Sequence, residues 1–134
     1  MVTLDALLGL PGAMAAFEFR GSGELLDHRI AYPDRINPTL LDLLAHMCAA
    51  NLSIATMQAR GWEQLTAMRG FYPVQAFTLI GFDWSVVVSG LNRERHKQSG
   101  QVSSLPPFLG VVMANERADY EAAFALLEGA EALP

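Results

Sequence analysis

The 134-residue chain has a single cysteine, Cys48, so no disulfide can form within it and a reducing compartment is expected. Positive charge is also scarce. Nine Lys and Arg stand against fourteen Asp and Glu, a net charge of −5, which argues against nucleic acid or an anionic membrane surface as a main partner. Charged residues of both signs make up 17% of the chain, below the roughly 25% of an average protein. A surface this poor in charge is expected to be partly covered by another chain. Uninterrupted apolar runs are short, because His46, Asn51 and Gln58 break up the richest stretch, and no direct membrane insertion is expected. The start, MVTLDALLGLPG, has no basic segment and carries Asp5, unlike a secretory signal. The expected location is the cytoplasm.

Recognisable chemistry is missing as well. A phosphate-cradling loop needs glycines between a strand and a helix N-terminus. Gly21 and Gly23 instead fall between two strands, as a hairpin turn. A zinc site needs close pairs of Cys or His. His28, His46 and His96 lie far apart, on a strand, a helix and a loop. Cys48, in a helix lined with Leu and Met, reads as a small hydrophobe whose pKa is unperturbed or raised, which disfavours thiolate chemistry. Asp42 and His46, four residues apart, are expected to pair on a helix surface, with no nucleophile beside them. No catalytic residue, cofactor or metal ligand is assigned, and the chain is not expected to be an enzyme.

What the sequence does have is one long apolar helix, NPTLLDLLAHMCAANLSIATMQAR, from Asn37 to Arg60. Asn37 is its expected N-cap, Pro38 its first residue, and Gly61 its end. Leu40, Leu44, Met47, Ile54 and Ala55 form one stripe, and Leu41, Cys48, Leu52 and Ala59 an adjoining one. Only a narrow line is polar: Asp42, His46, Ser53 and Arg60. Covering such a helix requires two surfaces. Ala45, Cys48, Ala49, Ala50 and Ser53 are small enough to let another element approach closely. Asn51, among Ala49, Ala50 and Leu52, needs a partner if buried. A neighbouring loop or strand carbonyl would serve, and so would a group across a subunit interface.

Around this helix the chain alternates strands and turns. Thr3 caps a short helix with Leu4, Leu7 and Leu8 on one face, stopped by Gly9 and Pro11-Gly12. Ala13 to Phe19 reads as a strand apolar on both faces, and Glu24 to Ile30 as its more polar hairpin partner nearer an edge. Val74 to Ile80 and Trp84 to Ser89 form a second hairpin, the latter strand with a half-exposed face. Phe108 to Met113 is a fifth strand, and Asn115 caps a last helix carrying Tyr120, Ala123, Phe124 and Leu127. The order α-β-β-α-β-β-β-α indicates an α+β layer fold in one domain, residues 1–134, with an antiparallel sheet. Between the last strands lies a polar insertion, 92–107, holding Arg93, Arg95, His96 and Lys97 and ending in Pro106 and Pro107. It reads either as a solvated loop or as a docking element for an acidic partner surface.

The segment Leu7 to Asp27 (LLGLPGAMAAFEFRGSGELLD), the helix core Met47 to Asn51 (MCAAN), and Met68-Arg69-Gly70 through Tyr72-Pro73-Val74 to Gly81-Phe82-Asp83-Trp84-Ser85-Val86 resemble an uncharacterised prokaryotic roadblock-like family. The resemblance covers Thr3 to Gly90 and resumes from Phe108 to about Leu127. It implies the roadblock/dynein-light-chain fold: a five-stranded antiparallel sheet with one long helix on one face and two shorter terminal helices on the other. It also implies protomers that pair through the long helix and third strand, serving as scaffolds or as regulators of small Ras-like GTPases. The implied dimer surface is Leu44, Met47, Cys48, Asn51, Ala55 and Gln58, with Val74, Ala76 and Thr78 beside it. Where this chain inserts Asn92 to Pro107, the family turns tightly. The expectation is a non-enzymatic homodimeric scaffold or regulatory subunit. The alternatives are an accessory subunit of a larger assembly docking through 92–107, and a small-molecule sensor with a pocket lined by Met14, Phe17, Phe77 and Trp84.

Overall fold

The computed structural model describes residues 2–90 and 107–129. Five antiparallel strands form one sheet in the order β2-β1-β5-β4-β3. They are β1 (Ala13–Phe19), β2 (Leu25–Ile30), β3 (Ala76–Ile80), β4 (Trp84–Ser89) and β5 (Phe108–Ala114). Helix α2 (Pro38–Thr66) covers one face, and α1 (Leu4–Leu8) and α3 (Tyr120–Leu127) cover the other.

The sheet therefore separates two cores. On the α2 side Phe17, Phe19, Val86, Val88 and Val112 meet Leu41, Ala45, Cys48 and Leu52. On the other side Ala16, Val87, Val111 and Met113 meet Leu7, Ala123 and Leu127. The apolar-on-both-faces pattern of β1 has this cause, and β5, at the centre of the sheet, shares it. Strand β4 is also enclosed on both faces after its first residue, contrary to the half-exposed face expected for it. Ser85 and Ser89 are buried rather than solvated.

Gly110 on β5 makes room for the Phe17 ring. A Cβ there would lie 2.6 Å from the ring's Cζ. Phe17, Phe19 and Phe108 then stack in sequence, with centroids 5.5 Å apart at each step. Gly23, at φ +100° in the β1–β2 hairpin, lets that turn approach His46 on α2, where a Cβ would come within 2.7 Å of the imidazole.

The caps at Thr3 and Asn37 form as expected. The Thr3 hydroxyl accepts from the Ala6 N–H at 3.0 Å, and the Asn37 side chain accepts from the Leu40 N–H at 2.9 Å. The far end of α2 differs. The helix passes through Gly61 and stops at Thr66, with Ala67 in the left-handed region at φ 59°. An interior glycine costs only about 1 kcal/mol, and the following turn offsets this with a side-chain anchor. The Glu63 carboxylate accepts from the backbone N–H groups of Tyr72, Phe71 and Gly70 at 2.8, 2.9 and 3.1 Å. These bonds, the Tyr72 N–H foremost, hold its pKa below the ordinary carboxylate value. They fasten the link to β3 against the last turn.

Asn115 does not cap the last helix. It opens a short 3-10 turn (Asn115–Arg117), and Asp119 caps α3 by accepting from the Ala122 N–H at 3.0 Å. The Asn115 amide instead donates to the Gly81 and Phe82 carbonyls at 2.8 and 3.1 Å, and its oxygen accepts from the Ser85 hydroxyl. The β3–β4 turn is thereby pinned to the end of β5. The local capping signal at Asn115 gave way to these longer-range hydrogen bonds.

Candidate interface

Helix α2 lies across one face of the sheet and turns one side inward. Leu41, Ala45, Cys48, Leu52 and Ala59 are enclosed there. Burial pushes the Cys48 thiol up to about 12, so it stays protonated and unreactive at neutral pH. The helix's length and apolar character would suffice to cross a bilayer, but this inward side is closed against the sheet.

The opposite side of the helix is apolar and uncovered. Leu40, Leu43, Met47, Ala50, Ile54 and Met57 follow one another at alternating spacings of three and four. That repeat places them in one seam along the helix axis. Met47 is 49% exposed, Ile54 57%, Leu43 58% and Met57 72%. Asp42, His46, Ser53 and Arg60 run beside this seam and are exposed. His46 Nδ1 lies 2.7 Å from the Asp42 carbonyl and 3.8 Å from its carboxylate, the surface pair expected from their spacing.

The residues implied as a dimer surface divide between these two sides. Met47, Asn51 and Gln58 are exposed and Ala55 is half-buried. Cys48 faces the sheet and is fully enclosed, and Leu44 is nearly so, which corrects their placement at a partner surface. Leu43, Ala50 and Met57 belong to the outer seam. The seam's three-and-four spacing is present in the sequence but is masked there by the equally apolar inner side. Asn51 is exposed, and its amide donates to the Met47 carbonyl one turn back, at 2.8 Å. Among the described residues, neither a loop carbonyl nor a strand carbonyl receives it.

Beside the helix, β3 is an edge strand. Val74 lies just outside it, its N–H on the Thr56 hydroxyl at 3.3 Å, and Ala76 and Thr78 lie within it, all half-buried. Between α2 and the sheet a cleft of about 480 Å³ opens, lined by Met14, Ile36, Leu40, Met47 and Trp84, with Arg35 and Asp83 also in its wall. Met14 and Trp84 are the two residues of this wall that the sequence led us to expect. Phe17 is sealed in the core, and Phe77 packs against that core outside the cleft wall. Arg93, Arg95, His96, Lys97 and Pro106 lie outside the described residues, and Pro107 directly precedes β5. Among the described residues no three His, Cys, Asp or Glu side chains cluster to hold a metal.

The sequence model of an uncharacterized conserved protein family, DUF2173, matches residues 3–93, more than half of the chain. The chain belongs to this family. No protein of curated function matches it in sequence. The fold of this DUF2173 member is similar to three solved structures among others. A roadblock/LC7 domain from Streptomyces avermitilis aligns with a TM-score of 0.65 at 12% identity, over 92% of this chain and 84% of that one. The gliding protein MglB from Thermus thermophilus gives 0.63 at 19% identity, over 94% and 83%. An MglB structure with a tetrameric arrangement gives 0.63 at 21% identity, over 96% and 85%. At these identities the likeness is one of fold: the DUF2173 chain has the roadblock architecture that its segments resemble.

Proposed function

We propose that this DUF2173 member is a non-enzymatic scaffold or regulatory subunit that works as a homodimer, joined through the outer seam of α2 and the edge of β3. The observation that carries this reading is the seam itself. Six apolar residues in a three-and-four repeat are held outward on a 29-residue helix whose other side is already enclosed. Contiguous apolar surface of this kind marks an interaction site, and the repeat is the one through which helices pair. The tetrameric arrangement of a fold neighbour is consistent with self-association.

The partner class follows from the roadblock-like resemblance: a small Ras-like GTPase in the cytoplasm, with docking into a larger assembly through 92–107 as the alternative. The purified protein is to be titrated against Ras-like GTPases of its own cell, loaded with GDP or a GTP analogue. Saturable binding that depends on the nucleotide supports the regulatory reading. If only larger complexes are captured, and deleting 92–107 abolishes capture, the accessory-subunit reading replaces it.

The cleft against Met14 and Trp84 favours a second reading, a sensor of small apolar molecules. Native mass spectrometry of the purified protein would show a co-purified mass if that reading holds, and the bare polypeptide if it fails.

A further inference from the structure

The sheet has two outer strands, β2 and β3, and their chemistry differs. Strand β3 (AFTLI) carries no charge, whereas β2 (LLDHRI) sets Asp27 and Arg29 on either side of His28. The Ala31 N–H donates to the Met14 carbonyl at 2.9 Å, and from Ile30 back to Asp27 the strand runs opposite β1 without a break. Alternation from Ala31 turns the backbone groups of Arg29 and Asp27 toward β1 and those of His28 toward the outer edge. Beyond Asp27 the ladder is broken between Glu18 and Phe19. His28 therefore lies within the regular stretch, where an antiparallel strand would engage its N–H and C=O together.

Both groups are already taken. The His28 N–H donates to the Asp27 carboxylate at 2.8 Å, and the His28 carbonyl accepts from the Arg29 guanidinium at 2.8 Å. The same guanidinium nitrogen donates to the same carboxylate oxygen at 2.9 Å, closing a ring around the His28 backbone. From α1, Asp5 holds the guanidinium Nε at 3.2 Å. An acceptor for the N–H and a donor for the C=O of one residue are what a neighbouring strand supplies. Here two side chains of β2 supply them. The bond from the His28 N–H foremost keeps the Asp27 carboxyl below its ordinary pKa, so the pair is charged at neutral pH. Exposed ion pairs add little stability; the consequence of this one lies in what it occupies.

We propose that Asp27 and Arg29 lock the β2 edge, closing His28 to an added strand and ending growth of the sheet on that side. The strand this edge would otherwise accept is β2 of a second copy. Two such strands meeting antiparallel at His28 satisfy each other's backbone groups, and an open edge invites association of this kind. The closed form wins because the partners of His28 are already on its own strand, with Asp5 steadying Arg29, whereas pairing with a second copy costs translational and rotational freedom. The lock acts at the side of the sheet away from β3, so it holds whether the protein is one chain or two.

The variant carrying Asp27→Thr and Arg29→Thr removes the lock and leaves strand-forming residues in place. Sedimentation velocity is expected to give at least twice the wild-type mass at the same concentration. If the wild type is a single chain, growth stops at two copies. If it is a dimer through β3, both outer edges are freed and growth continues. The matched control is Arg20→Thr with Glu24→Thr, which removes an exposed ion pair from the β1–β2 hairpin and is expected to keep the wild-type mass. His28→Cys locates the contact, since opposed residues of a hydrogen-bonded antiparallel pair have Cα atoms about 5.5 Å apart, within reach of a disulfide. Cys48 gives no background, being enclosed and protonated. Mild oxidation is expected to link chains through His28→Cys in the unlocked variant and to leave them separate where Asp27 and Arg29 are present. Should circular dichroism show the double variant unfolded, Arg29→Ala, which frees the His28 carbonyl alone, takes its place with the same expectations. Wild-type mass for the folded, unlocked protein would overturn the proposal. A raised mass without the His28→Cys link would overturn it too, because association would then use another surface. So would a His28→Cys link with the lock intact, because the edge would already be open.

Discussion

Met47→Arg separates assembly from folding. In the protomer Met47 is half exposed, in the middle of the outer seam. An arginine there keeps its guanidinium in water, and a surface change of this kind shifts protomer stability by no more than about 0.5 kcal/mol. In the dimer the same group is enclosed in an apolar seam. Leaving a charge buried and unpaired costs about 3–5 kcal/mol. Two-fold symmetry brings the substitution in twice, so the smaller figure gives about 6 kcal/mol, or roughly four decades in dissociation constant. A dimer that holds at micromolar concentration would then dissociate at any practical one. Sedimentation velocity reads the mass, and thermal unfolding in dilute solution reads the protomer. Ser53→Arg, on the exposed polar line of the same helix, is the matched control and is expected to stay dimeric. The reasoning fails if Met47→Arg keeps the wild-type sedimentation coefficient, or if Ser53→Arg dissociates equally.

Other expectations concern the protomer itself. Gly110→Ala forces the sealed Phe17 ring to move, and overpacking of this kind costs about 1–3 kcal/mol, so a lowered thermal midpoint is expected and an unchanged one contradicts the packing. Glu18, opposite Asp27 on β2, has its pKa raised by burial and then by that neighbouring charge. The native state therefore holds the Glu18 proton more tightly than the unfolded chain, and this group's contribution falls as pH rises above about 4.5. Glu18→Gln should stabilise at neutral pH, with the gain vanishing in acid; a gain independent of pH refutes it. Glu63 has the opposite sign, its pKa being lowered, so its contribution is present above about 4.5 and lost as pH falls. Glu63→Gln should destabilise at neutral pH and matter least in acid, as urea unfolding at several pH values would show.

Much of this architecture was legible because local pattern and tertiary demand agree. Thr3 and Asn37 read as caps and act as caps, and the doubly apolar β1 lies between two helical layers. Legibility failed where a long-range contact outweighed a local signal. Gly61 reads as a helix end, but Glu63 and its three backbone donors lie beyond it and carry the helix on to Thr66. Asn115 reads as a cap, but the β3–β4 turn, more than thirty residues earlier in the chain, claims its amide. Strand β4 read as half-exposed, but the Ser85 hydroxyl meets Tyr120 of α3 and that face is enclosed. On the candidate interface, the sequence showed that α2 needs two covering surfaces without showing which residues face which. The helix is apolar nearly all round, so only the position of the sheet separates Cys48 and Leu44 from Leu43, Ala50 and Met57.

The central claim, that the outer seam of α2 and the edge of β3 join two copies of this chain, is tested most directly by sedimentation equilibrium of the unmodified protein across the micromolar range. A single species at twice the 14.6-kDa chain mass, dissociating only on dilution, is the expected result. A species that stays at the mass of one chain at every concentration would contradict it.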